Sequence, residues 1–210
     1  TPSNRFHEIM NNKRHINKAD AVFVVSTVQE EIFADTISAD KVHFVPHGID
    51  VDYFTPKGAR EDRVEGMQCL FVGSHLRDLD NLAAAAKIIK DKKENIQFIV
   101  VTSPDYRSLF HGLDNVNFTS GISDEELLQM YQTSDVYVMP LLDCTANNGL
   151  LEAMACGLPI ISTDLQGVRD YVDNKCAILT PQGKENTLAD NIMMLKKEQV
   201  IRKEMSAASR

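Results

Sequence analysis

A helix start, a carboxylate one turn behind it and a short apolar run follow one another in Asn147-Asn148-Gly149-Leu150-Leu151-Glu152-Ala153-Met154-Ala155-Cys156-Gly157-Leu158-Pro159-Ile160-Ile161. Asn148 is a favourable N-cap, and the backbone N–H groups of Gly149, Leu150 and Leu151 would then face an anion such as a phosphate. Gly149 removes a Cβ where a bound group needs close approach to the backbone. Glu152 falls about one turn into the helix, where its carboxylate accepts hydrogen bonds from a vicinal diol such as a ribose. Gly157 and Pro159 close the helix and lead into the buried strand Ile160-Ile161-Ser162-Thr163. An ordinary capped helix between two strands, with Glu152 on its wet face, would use the same residues.

Other chemistry is thinly represented. Asp50-Val51-Asp52 and Asp78-Leu79-Asp80 both spell DxD, a pattern that can hold Mn²⁺ or Mg²⁺. Asp78 and Asp80 sit at a predicted helix N-terminus, where acids stabilise the dipole by about 0.3–1 kcal/mol without any metal. A three-residue match is weak, so both are read as structural and no metal is expected. His7, His15, His43 and His111 lack metal-ligand spacing. No Gly-x-Ser-x-Gly nucleophile turn and no phosphate-binding P-loop is present.

The elements that must position these residues alternate between strand and helix. Strands are expected at 22–25, 42–45, 68–72, 96–101, 116–118, 135–139, 160–163 and 176–179. Helices are expected at 27–35, 78–92, near 106–111, at 124–133 and after Asn148, with one amphipathic helix over 184–205 through Leu188, Ile192 and Leu195. Ser123 and Glu126 spell a capping box for the 124–133 helix. Such alternation implies parallel βαβ units and a doubly wound α/β sheet. Ligands of these sheets bind beyond the carboxyl ends of the strands, which points to the loops Gly73–Arg77, Cys144–Gly149 and Asp164–Gly167. Residues 57–66 are charged and glycine-punctuated, as in a linker.

Composition agrees with this and excludes several classes. A chain of 210 residues, 43% hydrophobic and 25% charged, can bury a substantial core. Net charge is −8, and no basic cluster is interleaved with aromatics, so nucleic acid is not an expected partner. Cys69, Cys144, Cys156 and Cys176 have no metal-like spacing and read as reduced, mostly buried thiols of a cytoplasmic protein. No apolar run approaches membrane-spanning length. The chain opens on Thr1, which is read as the mark of a fragment.

Glu152-Ala153-Met154-Ala155-Cys156-Gly157-Leu158-Pro159 resembles the donor-binding signature of the GT-B retaining glycosyltransferases of the group 1 (family 4) type. The likeness continues in Ala19–Ser26, the last strand of that family's first domain, and in Lys41–Asp50 with Phe54 and Pro56, its hinge. It also takes in Phe71–Asp78, the first strand and glycine loop of the donor domain, and Asn115–Phe118, Gly121 and Ser123–Leu127. Three positions depart from the pattern. Cys144 stands where the first glutamate belongs, flanked by Asp143 and Thr145, either of which could take over its bond to the donor sugar. Asn147 replaces a glycine, and His47 replaces an asparagine.

The resemblance implies a Rossmann-like GT-B donor domain at 67–210, a linker at 56–66, and a small α/β remnant of the acceptor domain at 1–55. It implies transfer of a sugar from a UDP- or GDP-sugar to a hydroxyl of a sugar, lipid-linked or small-molecule acceptor, with retention and no required cofactor. Arg77 and Glu152 are the implied catalytic residues, gripping diphosphate and ribose. Gly73, Ser74, His75, Asn147, Asn148, Gly149 and Leu150 are the implied donor-binding residues. Membrane association is expected only through the missing part of the first domain, and low turnover is expected of this chain alone. A nucleotide-sugar 2-epimerase of the same fold and a non-catalytic nucleotide-sugar-binding module are the alternatives.

Overall fold

All eight expected strands form in the computed structural model, which describes residues 16–34, 36–57 and 66–210. The first, β1 (Val22–Val24), leads through helix α1 (Thr27–Ala34) to β2 (Val42–Phe44), and the two strands pair in parallel. Then come β3 (Met67–Val72), α2 (Leu79–Asp91), β4 (Ile96–Val101), β5 (Val116–Thr119), α3 (Asp124–Thr133), β6 (Val136–Met139) and α4 (Asn148–Ala155). The chain closes with β7 (Ile160–Thr163), α5 (Gln166–Arg169), β8 (Ala177–Thr180), α6 (Glu185–Lys197) and α7 (Gln199–Ala208). His7, His15 and most of the expected linker lie outside the described residues.

Strands β3 to β8 form one parallel sheet in the order β5-β4-β3-β6-β7-β8, the doubly wound arrangement. Strand alternation sends Cys69 and Phe71 to one face and Leu70 to the other. Leu82, Ala85 and Ile89 of α2 and Leu188, Ile192 and Leu195 of α6 cover the first face. Tyr131 of α3, Leu150 and Ala153 of α4 and Val168 of α5 cover the second. Both faces are covered, so β6 and β7 are buried at every position rather than at alternate ones.

The caps follow the local chemistry. Asp78 accepts a hydrogen bond from the Asn81 amide at 3.1 Å, and so caps α2. The capping box of α3 closes in both directions: the Ser123 amide donates to Glu126 at 2.8 Å, and the Glu126 amide donates to Ser123 Oγ at 3.2 Å. Asp50 accepts from the amides of Asp52 and Tyr53, so each DxD match supplies a turn or cap acceptor.

The last helix departs from expectation. The single helix over 184–205 is broken at Glu198, whose φ of −92° and ψ of 71° are not helical. Periodicity runs through the break because both halves are amphipathic. The turn lets Ser206 donate to Gly157 O at 2.6 Å and Ser209 donate to Leu158 O at 2.7 Å, which anchors α7 behind α4. The short helix expected near 106–111 forms as a 3-10 helix over Pro104–Phe110, as suits a short connection opening on proline. Among the described residues no helix is long and apolar enough to cross a membrane.

Asp170, just past α5, joins the small strand pair to the large sheet. Its carboxylate accepts from the Ser26 hydroxyl at 2.7 Å, the Thr27 amide at 2.8 Å and the Thr27 hydroxyl at 2.7 Å, and thereby caps α1. Burial pushes this carboxyl up, but the bonds from Ser26, Thr27 and Gln166 outweigh it and hold it below the ordinary value of 3.8. A depressed acid stabilises the fold fully above its unfolded value and loses that contribution as pH falls through the folded one. Thermal unfolding of wild type and Asp170→Asn should therefore differ most above about pH 4 and converge at lower pH. A constant gap across that range would show that the bonds do not depend on ionisation.

Candidate functional site

The chain reverses direction across the sheet between β3 and β6, so the crevice lies beyond Val72 and Met139. Two loops leave there and are laced together. The Asp78 amide donates to Pro140 O at 2.9 Å, and the Leu142 amide donates to Leu76 O at 2.9 Å. The first loop doubles back through Gly73, with φ +102°, and Leu76, with φ +59°. A Cβ on Gly73 would stand 3.1 Å from the Arg77 guanidinium. The left-handed leucine costs roughly 1–2 kcal/mol.

Arg77 is returned by this loop to the mouth of the crevice. Its Nε donates to Val72 O at 3.1 Å, and its terminal nitrogens donate to His75 O at 3.2 Å and Asn147 Oδ1 at 3.1 Å. His75 and Ser74, expected as side-chain donors, serve Arg77 through their carbonyls; Ser74 O accepts the Arg77 amide at 3.4 Å. A guanidinium held on three sides is preorganised for an anion.

The cap of α4 differs from the expected one. Asn147, not Asn148, holds the position, with extended φ −142° and ψ 112°, and its Oδ1 accepts the Leu150 amide at 3.2 Å. The Leu151 amide donates to Asn147 O at 3.2 Å. Leu150 and Leu151 therefore do not present free N–H groups; those of Asn148 and Gly149 have no acceptor among the described residues. The open amides are thus one residue earlier than the sequence suggested, because a β-region Asn147 caps better than an Asn148 already inside the helix.

The reason for Gly149 also changes. A Cβ there would meet the Tyr137 hydroxyl at 2.5 Å, so glycine makes room for a tyrosine below the helix rather than for a ligand above it. Tyr131 lies beside Tyr137, ring centroids 5.8 Å apart, and both are buried. The Tyr131 hydroxyl donates to Glu152 Oε2 at 2.8 Å, and the Tyr137 hydroxyl donates to Val72 O at 3.5 Å, the carbonyl that also accepts from Arg77 Nε. Burial pushes Tyr137 up to about 12 and Tyr131 well above its ordinary value, so both stay protonated donors. Burial likewise raises the Glu152 carboxyl, against the opposing pull of the Tyr131 hydrogen bond and Arg77.

Tyr131 and Tyr137 carry no signal in the sequence, and His47 is marked there only as a departure from the hinge pattern. His47 Nε2 lies 2.7 Å from Asn148 Oδ1, and its amide donates to Tyr171 Oη at 2.9 Å, which ties the hinge segment to the helix start. Their positions come from strand and helix pairings more than eighty residues away in some cases, with no local motif to mark them. Cys144 is turned inward, its thiol donating to Thr145 O at 3.3 Å, and burial pushes it up to about 11. It is a neutral packed thiol and does not replace a carboxylate. Exposed Asp143 accepts the Cys144 amide at 2.8 Å.

A six-stranded doubly wound sheet with a clamped cation, open amides and a half-buried carboxylate at its switch point defines a Rossmann-like domain of the GT-B kind. The sequence model of the glycosyl transferases group 1 family matches residues 66–198, and the chain belongs to that family. A phosphatidyl-myo-inositol mannosyltransferase of Mycobacterium leprae is 27% identical over 191 residues, 83% of this chain and 49% of that protein. An MMP alpha-(1->4)-mannosyltransferase of Mycolicibacterium hassiacum is 29% identical over 170 residues, 75% of this chain and 41% of that protein. The sucrose-phosphate synthase of Thermosynechococcus elongatus superposes with a TM-score of 0.79 at 23% identity, over 95% of this chain and 55% of the synthase. Anabaena Alr3699/HepE, solved with UDP and glucose, gives 0.75 at 16%, over 95% of this chain and 61% of that one. These structural likenesses speak to fold. The chain spans about half the length of the curated relatives it matches.

Proposed function

We propose that this chain forms the donor site of a glycosyltransferase that moves a sugar from a nucleoside-diphosphate sugar to an acceptor hydroxyl with retention. The observation that carries the reading is Asn147 Oδ1, which joins the Arg77 guanidinium to the start of α4, where two amides are open. The diphosphate rests between that cation and the Asn148 and Gly149 amides, and Glu152 holds the ribose diol one turn on.

In the reaction the bond from the anomeric carbon to the diphosphate oxygen breaks, and the acceptor oxygen bonds the same carbon. The acceptor proton leaves with the diphosphate, whose charge has grown. Arg77 and the helix amides stabilise that growing charge more in the transition state than in the substrate, by up to about 2.7–4 kcal/mol for one well-placed donor. Protein groups supply this neutralisation, so the mechanism does not call for a metal.

The curated relatives include a GDP-mannose-dependent mannosyltransferase of Mycobacterium tuberculosis, and a solved neighbour carries UDP-glucose. Both donor types fit the diphosphate and ribose contacts, which do not read the base. The acceptor is a sugar, a lipid-linked sugar or a small molecule bound by the first domain, and that domain would carry any membrane association. The inward Cys144 favours a second reading, a nucleotide-sugar-binding module that does not turn over its ligand.

Calorimetric titration with UDP-, GDP- and ADP-sugars tests the proposal. Saturable one-to-one binding of one nucleotide class is expected, and no heat with any of the three would overturn it. Equal donor consumption by the whole protein and its Glu152→Ala, Arg77→Ala variant would favour the binding module instead.

A further inference from the structure

We infer that Tyr131 is a positioning residue that fixes Glu152 for a ribose diol and, through Tyr137, couples ribose recognition to the diphosphate cation Arg77. The inference rests on the nucleotide reading above and adds a residue that sets ribose specificity. Tyr131 of α3 is fully buried, so its hydroxyl is out of reach of bulk solvent. It donates to Glu152 Oε2 at 2.8 Å and leaves the other carboxylate oxygen for an incoming hydroxyl pair. A carboxylate held by one oxygen keeps a single rotamer, so the ribose bond forms without reordering the side chain.

The second tyrosine extends the link. Tyr137 sits on β6 between Tyr131 and Arg77, and its hydroxyl also lies 3.5 Å from Val72 O, the carbonyl that Arg77 Nε holds. Glu152 and Tyr131 are thus joined by a hydrogen bond, Tyr131 and Tyr137 by ring contact, and Tyr137 and Arg77 by the Val72 carbonyl they share. Gly149 is part of the device, since its missing Cβ leaves the space that the Tyr137 hydroxyl occupies. From the outer side the Phe54 ring meets Tyr131 edge-on at 6.1 Å, and Gln132 donates to Thr55 O at 2.8 Å. The hinge segment thus buttresses the tyrosine from behind. The groups that bear on the Glu152 charge are Tyr131 and Asp124 of α3 and Arg77 of the first loop.

Tyr131→Phe removes the hydroxyl and keeps the ring packing. Titrate wild type, Tyr131→Phe, Glu152→Gln and the double variant with the nucleoside diphosphate the protein prefers and with its 2′-deoxy counterpart, from pH 5 to 8. Wild type should favour the ribose form, and Tyr131→Phe should weaken it by about fivefold while narrowing the ribose-to-deoxyribose ratio. The pH at which binding is half lost should move upward in Tyr131→Phe, because a hydrogen bond to the ionised carboxylate is gone. The double variant should match Glu152→Gln alone in its ribose-to-deoxyribose ratio, a result that a purely structural tyrosine would not produce. An unchanged ratio and unchanged pH step in Tyr131→Phe would overturn the inference and leave the donor site standing. Should Tyr131→Phe fail to fold, Tyr137→Phe decides: additive losses with Arg77→Lys would break the proposed coupling. Wild type that binds no nucleoside diphosphate would instead remove the donor-site reading itself.

Discussion

Arg77→Ala should weaken nucleoside-diphosphate binding by about 10- to 100-fold, the loss of a charge-assisted interaction of roughly 1.5–3 kcal/mol. The guanidinium is held by Val72 O, His75 O and Asn147 Oδ1, so its place is set before any ligand arrives. Arg77→Lys should recover little, since one ammonium cannot serve three carbonyl acceptors and an anion with the same fork geometry. Glu152→Ala belongs in the same class of damage. Asp80 is exposed at the start of α2, and Asp80→Ala should leave affinity nearly unchanged. Calorimetry on the three alanine variants ranks them, and equal effects would place the diphosphate elsewhere.

Gly167→Ala should be the most damaging small substitution to the fold around the site. A Cβ there would lie 2.1 Å from Cys144 O, 2.7 Å from its carbonyl carbon and 2.9 Å from Thr145 O. These are backbone atoms, so no side-chain rotation relieves the overlap, and α5 must separate from the loop that leads into Asn147. Overpacking of this kind typically costs about 1–3 kcal/mol and sometimes more, which lowers the midpoint by roughly 2–4 °C per kcal/mol in a chain of this size. Nucleotide affinity should fall with it, because the displaced loop carries the cap that holds Arg77. Gly48→Ala is the control: nothing lies within 4 Å of its added Cβ, and its midpoint should move little. Equal melting of the two variants would show that the 144–145 loop yields freely.

The two effects share a cause. The loop after β3 reaches Asn147 through the Arg77 side chain, and the loop after β7 packs through Gly167 against the backbone of Cys144 and Thr145. Leu76 in a left-handed conformation belongs to the same pattern, since the lacing to Pro140 and Leu142 is what keeps it there. The 144–145 loop is thus a structural part of the site even though its cysteine points inward.

Local sequence determined the strands, most helix limits, the Ser123–Glu126 box and the doubly wound arrangement, because apolar periodicity and cap chemistry act within a few residues. It also marked 147–152 as a helix start backed by a carboxylate. Tertiary structure alone decided which asparagine caps, since that depends on the backbone angles β6 and its loop impose on Asn147. It decided that Gly149 answers to Tyr137, that Tyr131 bonds Glu152, and that the last helix breaks at Glu198 to reach Gly157. These choices rest on groups brought together from distant strands, whose spacing along the chain carries no trace of their spacing in the fold.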